Sequence, residues 1–327
     1  MTSNARLRLL FALLAALVLA LTVAACGDDE DDSGDDNGEE TASSLIESNP
    51  DNEGVELTIG SKNFDEQFIL GEIYAQALEA AGYTVEKDLN LGSEQVALKA
   101  LQSGEISGYP EYTSTALTSF FGFAPEDVPG DPQQAYEDSL EEFEKEGLIV
   151  YPPTPFSSAN AVGLLTETAD ELGVESISDL EGVSEDLTLA GSPECRERVD
   201  CLAGLEDNYG LTFAKFTPVD IELRYEVLDK DDADLSILFT TDGQLATSDD
   251  YTILEDDQSL LPAGNVLFVA SQEAADEAGP DFGETIEQVQ DSLSLEVMQE
   301  LNARVSLDRE KPEDVAADYL QEAGYTQ

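Results

Sequence analysis

The side chains of this sequence that could do chemistry are carboxylates, a few lysines and arginines, and three cysteines; there is no histidine. The missing imidazole removes the commonest general base and the usual zinc ligand. A Ser-His-Asp or Cys-His nucleophile system cannot be assembled. What remains for catalysis is a carboxylate pair such as Glu111 with Asp242, an arrangement suited to general acid/base work. With 72 Asp+Glu in 327 residues, chance pairs are expected, so a pair alone argues little for an enzyme. Against those 72 stand 14 Lys+Arg, a formal charge of −58. Nucleic acids need clustered Lys and Arg, and no cluster is found. The charge fits a solvated, repulsive surface; an acidic surface also suits a salty habitat. No acidic loop has the spaced oxygens and glycine of a calcium hand, so no metal and no cofactor are expected.

The cysteines divide into an anchor and a pair. Residues 1–25 read as an export signal: Arg6 and Arg8, an apolar run from Leu9 to Leu21, then Val23-Ala24-Ala25-Cys26. The run is shorter than the ~20 residues of a membrane span. Small residues before Cys26 resemble the bacterial lipobox, which implies a lipid on Cys26; the alternative is an ordinary signal with a chance cysteine. Residues 26–54 are rich in Gly, Ser, Asp and Glu and read as a flexible tether. Cys195 and Cys201 lie six apart in SPECRERVDCLAG. Outside the cell they read as a disulfide rather than a metal pair, with two free thiols as the alternative. A loop so small pins local geometry more than global stability.

From Val55 the pattern becomes that of a folded α/β protein, and 41% hydrophobic residues suffice for a sizeable core. VELTIG (55–60) alternates like a strand. Phe68, Ile69, Ile73, Ala77 and Leu78 follow at helical spacing and stop at Gly82. A strand at 83–92, a helix at 94–103, a strand at 105–112 and a helix in TSTALTSFFG continue the alternation. A helix at 132–147 follows. A second set has helices near 176–181, 200–210 and 220–230 and strands at 187–190, 213–217 and 234–239. Strands within 251–271 and a largely helical end from Phe282 complete the chain. Such alternation predicts parallel sheets with crossover helices. Ligands of open α/β sheets bind past the carboxyl ends of strands. Three loops fit that place: Ser61-Lys62-Asn63-Phe64, Gly92-Ser93-Glu94-Gln95, and Tyr109 to Thr115; TTDG (240–243) is their counterpart in the second half.

GSKNFDEQF, LGSEQVALKALQSGEISGYPEYTSTAL, PFSSANAVGLL and LRYEVLDKDDADLSILFTTDGQL together resemble the glycine betaine/choline-type substrate-binding proteins of ABC transporters. The resemblance covers nearly everything after Val55. It implies a type II periplasmic-binding-protein fold with a cleft between two α/β lobes: 55–160 plus 265–327 as lobe one, 161–264 as lobe two. It also implies capture of a compatible solute such as glycine betaine or choline outside the cell, delivery to a permease and ATPase, a monomer, and no catalysis. Alternatives are another small solute, or a sensor with the same fold.

In that family aromatic faces hold the quaternary ammonium, by cation–π attraction of about 0.5–2 kcal/mol each. By position, Tyr112 and Tyr225 match cage tyrosines, Phe156 and Phe239 stand where relatives carry tyrosine, and Lys62, Gln95 and Thr115 match polar contacts. From the residues alone, Tyr112 reads first as a ligand contact because it opens a helix, Tyr225 as either contact or core, and Phe156 and Phe239 first as core, with Thr115 also readable as a helix cap. Leu261-Pro262-Ala263 stands where some relatives place another tyrosine, so one cage wall is expected to be missing.

Overall fold

The computed structural model describes residues 45–327; the export signal, Cys26 and the tether up to residue 44 lie outside the described residues. The last ten tether residues are not a tether. The Ile46 amide donates to the Tyr325 carbonyl at 2.9 Å and the Asn49 amide to Ala81 at 3.0 Å. The buried Asn52 side-chain amide donates to the same Ala81 carbonyl at 2.9 Å. Ala81 ends the helix Asp65–Ala80, and these two asparagines both satisfy its carbonyl, one of those a helix end leaves open. Polar composition marks such a segment as flexible and is blind to its hydrogen bonds.

Among the described residues, eleven strands form two sheets. In the first, β2 (Thr84–Asp88), β1 (Glu56–Gly60), β3 (Gly108–Tyr112), β11 (Gly264–Ser271) and β4 (Leu148–Val150) lie in that order, with the short β5 (Ser157–Ser158) also against β11. In the second the order is β10 (Tyr251–Ile253), β6 (Asn160–Leu165), β9 (Leu235–Phe239), β7 (Thr188–Gly191) and β8 (Lys215–Pro218). Each sheet has its own core cluster, one around the helix Asp65–Ala80 and the C-terminal helices, one around Leu189, Leu205 and Ile237. The protein therefore has the two-lobed α/β architecture expected.

The sheets are mixed, which corrects the parallel expectation. β1, β2 and β3 are parallel, as are β7, β8 and β9. β11 runs antiparallel to β3 and β4, and β6 antiparallel to β9. The reason is connectivity. Strands that enter or leave a lobe at the crossing points come from the opposite end of the sheet, so they cannot share the direction set by the crossover helices.

Those crossings lie side by side: Ser157 and Ser158 pair with Asn265 and Gly264. The Asn265 side-chain amide donates to the carbonyls of Thr154 and Phe156, each at 2.9 Å. A third junction joins the helix Gly243–Thr247 of the second lobe to the helix Leu295–Ser306 of the first. A Cβ on Gly243 would stand 2.5 Å from the Ala303 backbone, so only glycine permits this approach. The Asn302 side chain donates to the Thr241 carbonyl there at 2.9 Å.

Candidate ligand-binding cleft

The cleft lies where the carboxyl ends of β1 and β3 face those of β7 and β9. Lys62 and Phe64 come from the turn after β1, Glu94 from the start of the helix Glu94–Gln102, Tyr112 from the end of β3, and Ser114 and Thr115 from the helical turn Thr113–Thr115 that follows it. The second lobe contributes Asn160, Ser192, Arg198, Asp200, Arg224 and Phe239. Helix starts and strand ends converge because βα turns collect on one edge of a parallel unit.

Three rings form the apolar floor. Phe64 and Tyr112 stack with centroids 6.4 Å apart, and Phe64 meets Phe239 at 5.3 Å. Cations already sit on these faces: the Lys62 ammonium 4.5 Å from the Tyr112 centroid, the Arg224 guanidinium 4.7 Å from that of Phe239. Each cation has its own carboxylate. Lys62 bridges to Glu111, with both side chains nearly inaccessible to water. Tyr109 donates its hydroxyl to the other Glu111 oxygen at 3.1 Å, and the Tyr112 amide donates to Glu111 at 2.8 Å. Arg224 pairs with Asp242, which also accepts the Tyr225 hydroxyl and the Phe239 amide, each at 2.9 Å. Glu111 and Asp242 are thus consumed in separate ion pairs rather than aimed together at a reacting bond.

Behind Tyr112 stands Glu66. The Tyr112 hydroxyl donates to one of its oxygens at 2.6 Å and the Asn302 amide to the other at 2.7 Å. Burial pushes the Glu66 carboxyl up, and these donors together with Thr241 only partly offset it. Burial likewise pushes the Tyr112 phenol well above its ordinary value, with the Glu66 charge adding to the shift.

Of the seven expected contacts, the structure brings Lys62, Tyr112, Thr115 and Phe239 to the cleft. It does not bring Gln95, Phe156 or Tyr225. Gln95 is exposed and donates to the Ser119 carbonyl at 3.1 Å. Its neighbour Glu94 faces the cleft instead, since adjacent helical residues point about 100° apart. Tyr225 is buried against Tyr251, edge to face at 4.8 Å, while Arg224 before it lines the cleft. Phe156 is 2% exposed within the first core cluster. Cys195 and Cys201 form the disulfide. At the stretch where one cage wall was expected to be missing, Pro262 lines the cleft. Sequence reasoning missed Arg198 and Arg224, whose signal was scarcity: they are two of only 14 basic residues.

Residues 55–322 match the family described as the substrate binding domain of the ABC-type glycine betaine transport system. The chain belongs to that family. It is 32% identical over 277 residues to a glycine-betaine-binding protein of Pseudomonas aeruginosa, covering 81% of this chain and 87% of that protein. It is 27% identical to an ergothioneine transport permease/ergothioneine binding protein of Helicobacter pylori, across 82% of this chain and 48% of that longer protein. A solved glycine betaine/carnitine/choline ABC transporter structure superposes with a TM-score of 0.63 at 26% identity, covering 81% of this chain and 98% of that one. The protein is therefore an extracytoplasmic solute-binding component of an ABC importer, and its family binds solutes rather than transforming them. No helix among the described residues is long and apolar enough to cross a membrane.

Proposed function

We propose that the cleft captures a small zwitterion carrying a quaternary ammonium group, of the glycine betaine or carnitine type, and hands it to the importer's permease and ATPase. The observation that carries this reading is the triad of Phe64, Tyr112 and Phe239 lying in one cleft with Lys62, Arg198 and Arg224. A trimethylammonium group donates no N–H bond, and ring faces are the surface that attracts it. The carboxylate end is suited to Lys62, Arg198 and Thr115, where charge-assisted hydrogen bonds form.

Choline has the cation without the carboxylate. It has no carboxylate to accept from the remaining donors of Lys62 and Arg198, so the site should rank it below the zwitterions. A thermal-shift panel tests the ranking: ligands that bind only the folded state raise Tm. Glycine betaine and carnitine should raise it more than choline. Equal or larger shifts with choline would remove the anionic half of the proposal.

The lobes we assign to 55–160 plus 265–327 and to 161–264, closing as a hinge about the paired strands β5 and β11. We further propose that the protein is a monomer held to the membrane by lipid on Cys26. Cys26→Ser should then move it from the membrane fraction to the soluble one; retention at the membrane would rule the anchor out.

A further inference from the structure

One cleft group comes from an unusual support. Arg198 sits on no helix or strand but in the irregular segment between the turn Pro193–Arg196 and the helix Leu202–Asp207. That segment is bracketed by the Cys195–Cys201 disulfide. Both cysteines are buried in the core of the second lobe, and the Leu202 amide donates to Cys195 Sγ at 3.3 Å. A Cβ on Gly204 would strike the Val199 carbonyl oxygen at 1.9 Å, so the loop is pressed against the helix that follows it. From this clamp Arg198 reaches both lobes. Its Nε donates to Asp200 at 2.8 Å on its own lobe. Its Nη1 lies 3.3 Å from Glu94 on the other. Asp200 is fixed in turn, its carbonyl accepting from the Asn160 side chain at 3.0 Å.

We propose that the disulfide and Arg198 act together as the positioning device of the cleft. The disulfide holds the guanidinium where it spans Asp200 and Glu94, and that span sets how far the lobes close and how tightly solute is held. The proposal rests on the reading of this cleft as the solute site. The physical ground is entropy. An arginine on a free loop must be ordered at each closure, whereas one on a clamped loop is ordered beforehand. A six-residue separation closes a short loop, which stabilises the whole fold less than a long one would, and its local constraint falls on the segment that carries Arg198.

The test compares wild type, Cys195→Ser/Cys201→Ser, Glu94→Gln and the triple variant. Small-angle scattering of the free proteins reports closure without any ligand, and calorimetry with glycine betaine reports affinity. Both the serine pair and Glu94→Gln should enlarge the radius of gyration and weaken glycine betaine binding about fivefold, the scale of one partly buried ion pair. The triple variant should be no weaker than the weaker parent, because both changes break the same span. Multiplying effects, or an unchanged radius of gyration in both variants, would overturn the proposal. If wild type does not bind glycine betaine, the ligand reading fails by itself and scattering still decides the clamp. If the serine pair fails to fold, Arg198→Lys, which keeps the charge but loses the fork, must open the free protein as Glu94→Gln does; a wild-type radius would overturn the proposal.

Discussion

Tyr112 carries two roles that single substitutions separate. Its ring forms cleft floor between Lys62 and Phe64, and its hydroxyl donates to the buried Glu66. Tyr112→Ala should weaken quaternary ammonium binding at least several-fold, whereas Tyr112→Phe keeps the π-face and should bind nearly as wild type; equal losses by calorimetry would show that the hydroxyl, not the ring, matters. Glu66 supplies the pH dependence. Its carboxyl is pushed up by burial, so the folded state holds the proton more tightly than the unfolded chain. That contribution to stability is fully present below the ordinary value of about 4.3 and is lost as pH rises through the folded-state value. Glu66→Gln should flatten the Tm profile just above pH ~4.3; superposable profiles would remove Glu66 as the cause. At this scale the sequence was half legible. The motif residues Lys62, Tyr112, Thr115 and Phe239 reach the cleft. Gln95 and Tyr225 fail by one position each, in favour of Glu94 and Arg224, because a motif locates a loop while local helical phase decides which side chain turns inward.

Elements were easier to read than their directions. Strand β1, the helix after it, β3, β7 and β9 stand close to where periodicity places them, since each buries a regular apolar face. The predicted helix at 220–230 is in fact a short turn, Ile221–Leu223, followed by Glu226–Asp229, a break that lets Arg224 and Tyr225 diverge. The antiparallel course of β6 and β11 was hidden, because periodicity records burial and says nothing of neighbours. The junction of Gly243 with Ala303 was hidden too, since a glycine after Asp242 also reads as a turn. It is open to a stringent test. Gly243→Ala places a methyl 2.5 Å from the Ala303 backbone and should destabilise the protein by about 1–3 kcal/mol, the usual cost of overpacking. Denaturant unfolding at wild-type stability would mean that the two helices separate freely.

At the scale of the whole molecule, two lobes with separate cores meet at several places, among them the β5–β11 crossing, Gly243 on Ala303, Asn302 on Thr241, Phe64 on Phe239, and Arg198 on Glu94. Lobes with separate cores can move relative to one another, which is what capture and release of a solute require. The −58 charge surrounds a cleft whose basic side chains Lys62, Arg198 and Arg224 are all paired with carboxylates, so no bare positive charge is left in the site. The most direct measurement is calorimetric titration of residues 45–327 with glycine betaine, on wild type and on Phe239→Ala, which removes one ring of the floor and leaves the salt bridges. Wild type should show saturable one-to-one binding, with no change in the ligand afterwards, and the substitution should weaken it about tenfold or more, the scale of one aromatic contact in a desolvated site. Absence of binding, or binding that Phe239→Ala leaves untouched, would contradict it.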